Sequence, residues 1–203
     1  GTSDGGTYGG AGSHGGGGVN GGPCYGSITA PTNLGSGGNG GSSGGGAVIL
    51  TIAGAIRNDG LISAKGQRTG NINAGSGGSL YLIAGALTGS GTIQADGGDD
   101  NNFGSGGGGR IALVVTNIGA SFSLFSGKIS TYGSADVSYG GKSCAGTIYL
   151  EKQGDSPGKG ELIVDNFGGY PGFAVRTDLN GIIAVTCEFS RITLTNGANL
   201  SVG

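Results

Sequence analysis

Three aspartates and two asparagines crowd one short loop: Asp96, Asp99 and Asp100, followed by Asn101 and Asn102. Hard cations collect several oxygen ligands, which makes this loop a candidate calcium site. Its spacing, DGGDDNN, matches neither an EF-hand loop nor a calcium-binding nonapeptide repeat, so a solvated Asp/Asn turn is the preferred reading. A second acidic group, Asp155, Glu161 and Asp165, could supply the pair of carboxylates that glycoside hydrolysis needs, but exposed turn charges are the preferred reading. His14 is the only histidine and sits among glycines, with no neighbour to orient it as a base. The glycine run at 104–109 superficially resembles a phosphate-binding loop, but an apolar strand pattern follows where a helix should stand. Catalysis is not expected.

Aromatic residues gather in the second half, within Gly-rich stretches: Tyr132, Tyr139, Phe167, Tyr170 and Phe173. Exposed rings stack on sugar faces, so Tyr139, Tyr170 and Phe173 are the candidate glycan contacts. Asp136, Asn166 and Asp178 are the hydrogen-bonding partners. The competing reading has these rings covering an edge or end of the core. Cys24, Cys144 and Cys187 are far apart and form no CxxC pair, which gives zinc little support. One disulfide with a leftover thiol, a bond to a neighbouring chain, and three buried free thiols are all open, and the pairing is unknown.

Any such groups must be held by elements built around glycine, which supplies 53 of the 203 residues. Without a strict every-third-residue period this is not collagen. Each Gly inside a helix costs about 1 kcal/mol relative to Ala, so an ordinary helical domain is excluded. Strand-length apolar runs interrupt the glycines at 47–52 (AVILTI), 79–83 (SLYLI), 110–115 (RIALVV) and 147–150 (TIYL). Each is followed by a turn and a shorter second run: LISA at 61–64, TIQA at 92–95, KIST at 128–131 and ELIV at 161–164. A fifth, shorter unit occupies 190–202. The four main units start at 47, 79, 110 and 147, so their internal order is constant while their spacing varies, as stacked coils tolerate.

Stacking predicts a right-handed parallel β-helix of about five coils over 47–203, with long Gly-rich loops; a β-sandwich is the structural alternative. Residues 1–46 are expected to pack as a cap or side layer, docked through Tyr8, Pro23, Tyr25, Ile28, Pro31 and Leu34. Leu50, Leu82, Leu113 and Leu150 should form one inward ladder, and Ile62, Ile93, Ile129 and Ile163 another.

Net charge is −2, which offers nothing to nucleic acid or an anionic membrane surface. No apolar run approaches the ~18 residues of a membrane span. The chain opens on Gly1 rather than Met, which suggests a processed product or an excised segment.

Several stretches carry a family likeness: 22–27 (GPCYGS), 30–32 (APT), 35–38 (GSGG), 87–98 (LTGSGTIQADGG), 106–113 (GGGGRIAL) and 192–202 (ITLTNGANLSV). Together they resemble the glycine-rich parallel β-helix segments of large bacterial and protist surface proteins. The resemblance implies a non-catalytic structural or adhesive role at the cell surface or outside the cell. It also implies self-association into filaments, or attachment to other domains of a larger surface protein. A carbohydrate-binding module is the alternative, and a β-helix polysaccharide lyase or hydrolase a more distant one. Calcium is the only cofactor the pattern admits.

Overall fold

The computed structural model describes residues 22–38, 41–67, 73–99, 104–133, 143–166, 176–179 and 188–201. It is almost entirely β. In chain order the strands are β1 (Ala47–Arg57), β2 (Leu61–Ser63), β3 (Ser79–Thr88), β4 (Thr92–Gln94), β5 (Arg110–Val115) and β6 (Lys128–Ser130). They continue with β7 (Thr147–Lys152), β8 (Glu161–Asp165), β9 (Thr177–Asp178), β10 (Arg191–Thr195) and β11 (Leu200–Ser201). Among the described residues the one helical element is a 3-10 turn at Phe122–Leu124.

Each β-branched run meets its equivalent in the next unit. The larger sheet has the order β1-β3-β5-β7-β8-β10, a smaller one the order β2-β4-β6, and β9 pairs with β11. Through β7 every pairing is parallel, in a register that aligns Leu50, Leu82, Leu113 and Leu150, the ladder anticipated from the sequence. In the smaller sheet Ile62, Ile93 and Ile129 align in the same way. Alternation then sends Leu80, Leu82, Ile111, Leu113, Val115 and Ile148 into a core that also contains Ile93 and Ala95. At about 25 cal/mol per Å² of apolar area, each such side chain contributes roughly 1.5–3 kcal/mol.

The corner between the two sheets is short and specified. Asn58, Asp59 and Gly60 separate β1 from β2; Asn58 Oδ1 accepts from Gly60 N at 3.1 Å, an Asx-type turn. Asn58 Nδ2 reaches the next unit at Thr92 O (3.1 Å), and Asp59 Oδ1 accepts from Ser90 N at 3.0 Å.

The Gly-rich tracts are built into the fold. Gly78 N donates to Ala64 O at 2.8 Å, Gly109 N to Ala95 O at 2.7 Å, and Gly146 N to Thr131 O at 2.7 Å. This is one contact repeated through successive units. A Cβ on Gly77 would lie 1.9 Å from Ala95 O, and one on Gly108 would lie 1.9 Å from Thr131 O. Only glycine lets the backbones approach so closely.

Residues 22–38 run across the outer face of the larger sheet. Ile28 is buried with Ala112, Tyr149, Leu162 and Leu179. Ser79 Oγ donates to Asn33 O at 2.7 Å, and Arg110 Nε donates to Tyr25 O at 2.9 Å. Leu34, expected among the docking residues, is 51% exposed, and Tyr8 lies outside the described residues.

The sheet departs from a uniform parallel stack at the fourth unit. β8 turns back and pairs antiparallel with β7, setting Ile163 opposite Ile148 and Glu161 opposite Leu150. Ile163 therefore belongs to the larger sheet and not to the Ile62–Ile93–Ile129 ladder, and the larger sheet is mixed. The physical reason is the connection. Three residues join β3 to β4, whereas eight join β7 to β8, with Gly154 (φ 102°) and Gly158 (φ 78°) in left-handed conformations. Length alone does not decide it, since twelve residues join β5 to β6 and still turn the corner; the two left-handed glycines permit the reversal.

Candidate functional site

The reversal at β8 borders an open concavity. The smaller sheet ends at β6 while the larger one continues through β7, β8 and β10. The inner face of those last strands therefore has no described strand opposite it. What remains is an open cleft of about 510 Å³, roofed by the loop that carries Ser121 and Phe122.

Its floor follows from strand alternation. Leu150 and Lys152 lie on one face of β7, and Glu161 sits opposite Leu150. Arg191 pairs in register with Glu161 on β10. Arg191 donates to Glu161 through Nε (2.8 Å) and Nη2 (2.6 Å), a bidentate pair, and Thr193 Oγ1 adds a bond of 2.8 Å. The Arg191 hydrogen bond, then Thr193, holds the Glu161 carboxyl below its usual range, against some desolvation. Asp155 enters from the β7–β8 turn, its carboxylate accepting from Lys152 N at 3.0 Å. Ser190 completes the rim. The cleft thus combines an aromatic ring, an aliphatic patch, two hydroxyls, two cations and two carboxylates.

This arrangement suits binding better than acid–base chemistry. A general acid needs a carboxyl held protonated, and Glu161 is held ionised. Asp165 lies four residues along the same strand, about 13 Å away at ~3.3 Å per residue, beyond the ~5–9.5 Å of a glycosidase pair. Its carboxylate accepts from Asn196 Nδ2 at 2.7 Å.

Two aspartates of the acidic loop are described. Asp96 accepts from Ser130 Oγ (3.0 Å) and Tyr132 N (2.8 Å), tying one unit to the next, and burial raises its pKa. Asp99 pairs with Lys65 at 2.7 Å. Asp100 lies outside the described residues, as do Tyr139, Tyr170, Phe173, Asp136, Cys187 and His14. Among the described residues no group of three or more His, Cys, Asp or Glu is arranged to hold a metal ion. Asn166 is buried and accepts from Ala145 N at 3.0 Å, and Asp178 stands 3.8 Å from Arg176.

Sequence reasoning singled out Asp155 and Glu161 but missed Lys152, Arg191 and Phe122. For Phe122 the available signal was the 37-residue interval from 110 to 147, the longest of the set, which announces extra loop there; nothing in the spacing pointed to Lys152 or Arg191.

A second polar cluster is buried. Arg110 is 0% exposed; its Nη1 donates to Thr147 Oγ1 at 2.9 Å and its Nη2 has no partner. Burial lowers its pKa to about 10. Beside it, Cys24 and Cys144 are buried free thiols. Burial raises both, Cys144 to about 12, so neither is a nucleophile at neutral pH.

Comparison with protein-family models, curated proteins and solved structures finds no match for this chain. Among the described residues no helix is long and apolar enough to cross a membrane.

Proposed function

We propose that this chain is a non-catalytic structural or adhesive component of an extracellular or cell-surface assembly. Its units coil as a right-handed parallel β-helix, and further copies extend it edge to edge. The observation that carries this reading is the pair of open apolar ends on the larger sheet. Among the described residues, at one end β1 pairs only with β3, and Ile49, Leu50 and Ile52 are exposed by 51%, 40% and 37%. At the other, β10 pairs only with β8 and exposes Ile192 and Leu194 by 50% and 48%.

An uncharged strand edge of this length is a template for another strand, and monomeric proteins usually block such edges with charge, proline or bulges. From Ala47 to Ile56 β1 has no charge and no proline; its sole irregularity is a register shift between Ile52 and Ala55. Right-handed coiling rests on the strong preference of parallel crossovers for that hand. No cofactor is required by this reading. The partner is another copy or another domain of a larger surface protein.

Electron microscopy and sedimentation of the native protein test it. Ordered filaments or concentration-dependent oligomers are expected, and they should be lost in the double variant Ile49→Lys, Ile52→Lys. A monodisperse monomer across the accessible concentration range would refute self-assembly.

A further inference from the structure

We infer that the cleft between β7, β8, β10 and the Phe122 loop is a binding site for a neutral sugar unit of a glycan chain. The inference goes beyond self-association. Arg191 of β10 lines the cleft, whereas no residue of β1 does, so the β1 variants test self-association apart from it.

Three features carry it. The first is size and origin. About 510 Å³ falls within the range of small-ligand sites, and the concavity exists because β8 leaves the position that would close it. The second is the pairing of surfaces. A pyranose presents an apolar C–H face and a ring of hydroxyls that both donate and accept. Phe122 and Leu150 supply apolar contact, Asp155 and Glu161 supply acceptors, Lys152 and Arg191 supply donors, and all six line the one cleft.

The third feature is charge. The two carboxylates balance the two cations, so the site has no net sign with which to select an acidic sugar. Arg191 and Glu161 are also locked to each other, fixing the orientation of both groups before any ligand arrives. Among the described residues the Lys152 ammonium is in no salt bridge, although its charge favours the ionised Glu161, so its donors can turn to a ligand. Such preorganised polar groups beside an aromatic ring lose little entropy on binding, which is how a shallow site becomes selective.

The test is an array of immobilised neutral hexose, N-acetylhexosamine, uronate and sialylated oligosaccharides, probed with the full chain, followed by titration of the best neutral probe. Saturable retention on neutral probes is expected. Lys152→Gln and Asp155→Asn, both on the rim, should each weaken binding about tenfold, the equivalent of one lost hydrogen bond. Phe122→Ala should abolish it. Because Phe122 also packs towards the core, the two rim variants carry the test if Phe122→Ala fails to fold.

Ile118→Ser, at an exposed position outside the cleft, should change nothing. Retention only on uronate or sialylated probes would overturn the inference. So would neutral binding that survives both rim substitutions, or no retention at all. Sedimentation of the same variants reads self-association separately, so the failure of either idea leaves the other standing.

Discussion

Two seams hold the successive units together, and they work by opposite means. Along the strands, Leu50, Leu82, Leu113 and Leu150 align side chain over side chain. Their contribution scales with the apolar area removed from water and has little directionality. Along the glycine tracts there is no side chain at all. Gly77 sits under Ala95 O and Gly109 N, and Gly108 under Thr131 O and Gly146 N, with backbone hydrogen bonds fixing the spacing. The strand seam tolerates a change of volume at a graded cost. The glycine seam tolerates none, because the obstructing atoms are backbone on both sides. Stability in this chain therefore comes as much from what is absent as from what is buried.

The sharpest way to break the comparison is Gly108→Ala. Its Cβ would lie 1.9 Å from Thr131 O and 2.3 Å from Gly146 N, so the layers must separate. We expect a loss above about 4 kcal/mol, or no folded protein, by urea denaturation followed by circular dichroism. A loss under about 1 kcal/mol would show that the seam relaxes as readily as an ordinary loop.

Leu113→Ala, in the middle of the leucine ladder, should cost about 2–5 kcal/mol in the same assay. A value near zero would mean that the ladder does not organise the core.

Next in size is an alkaline effect. Cys144 has its pKa raised from 9.0 to about 12 by burial, so the unfolded chain loses that proton first. The stabilisation it provides is fully present below pH 9 and disappears between pH 9 and 12. Arg110 acts in the opposite sense, since its folded pKa is lowered to about 10, and it partly offsets the loss. Cys144→Ala should flatten the decline in stability above pH 9, with Arg110 retained in both proteins. An unchanged slope would remove Cys144 as its source.

The smallest expected effect is Gly54→Ala on β1, where an added Cβ meets nothing within 4 Å. Stability should change by less than about 1 kcal/mol, on the stabilising side. A large loss there would extend the glycine constraint to the open edge and erase the contrast.

The leucine ladder was legible because period-2 alternation and repeat order are local properties, and residues 47, 79, 110 and 147 begin equivalent strands. The isoleucine ladder was legible only as far as Ile129. Ile163 has the right neighbours in sequence, but its place depends on whether an eight-residue connection turns a corner or reverses, and no periodicity records that choice. The cleft was half visible for the same reason: Asp155 and Glu161 lie close in sequence, whereas Phe122 and Arg191 reach them only through the reversal. For Asp96 the sequence offered a solvated turn or a cation ligand; composition shows its oxygens and not Ser130 and Tyr132, which arrive from the next unit to bond with them.

The glycine seam also has a hereditary consequence. Every single-base change in a glycine codon either leaves glycine in place, stops translation, or adds at least a Cβ. At Gly77 or Gly108 any added side chain meets carbonyl oxygen closer than real Cβ atoms approach. Substitution is therefore closed as a route of drift at these two positions, though not at Gly46, where a Cβ meets nothing within 4 Å. Around Gly77 and Gly108, variation among descendants of this chain is left to the loops that enter and leave their tracts, where length can change without disturbing the stack.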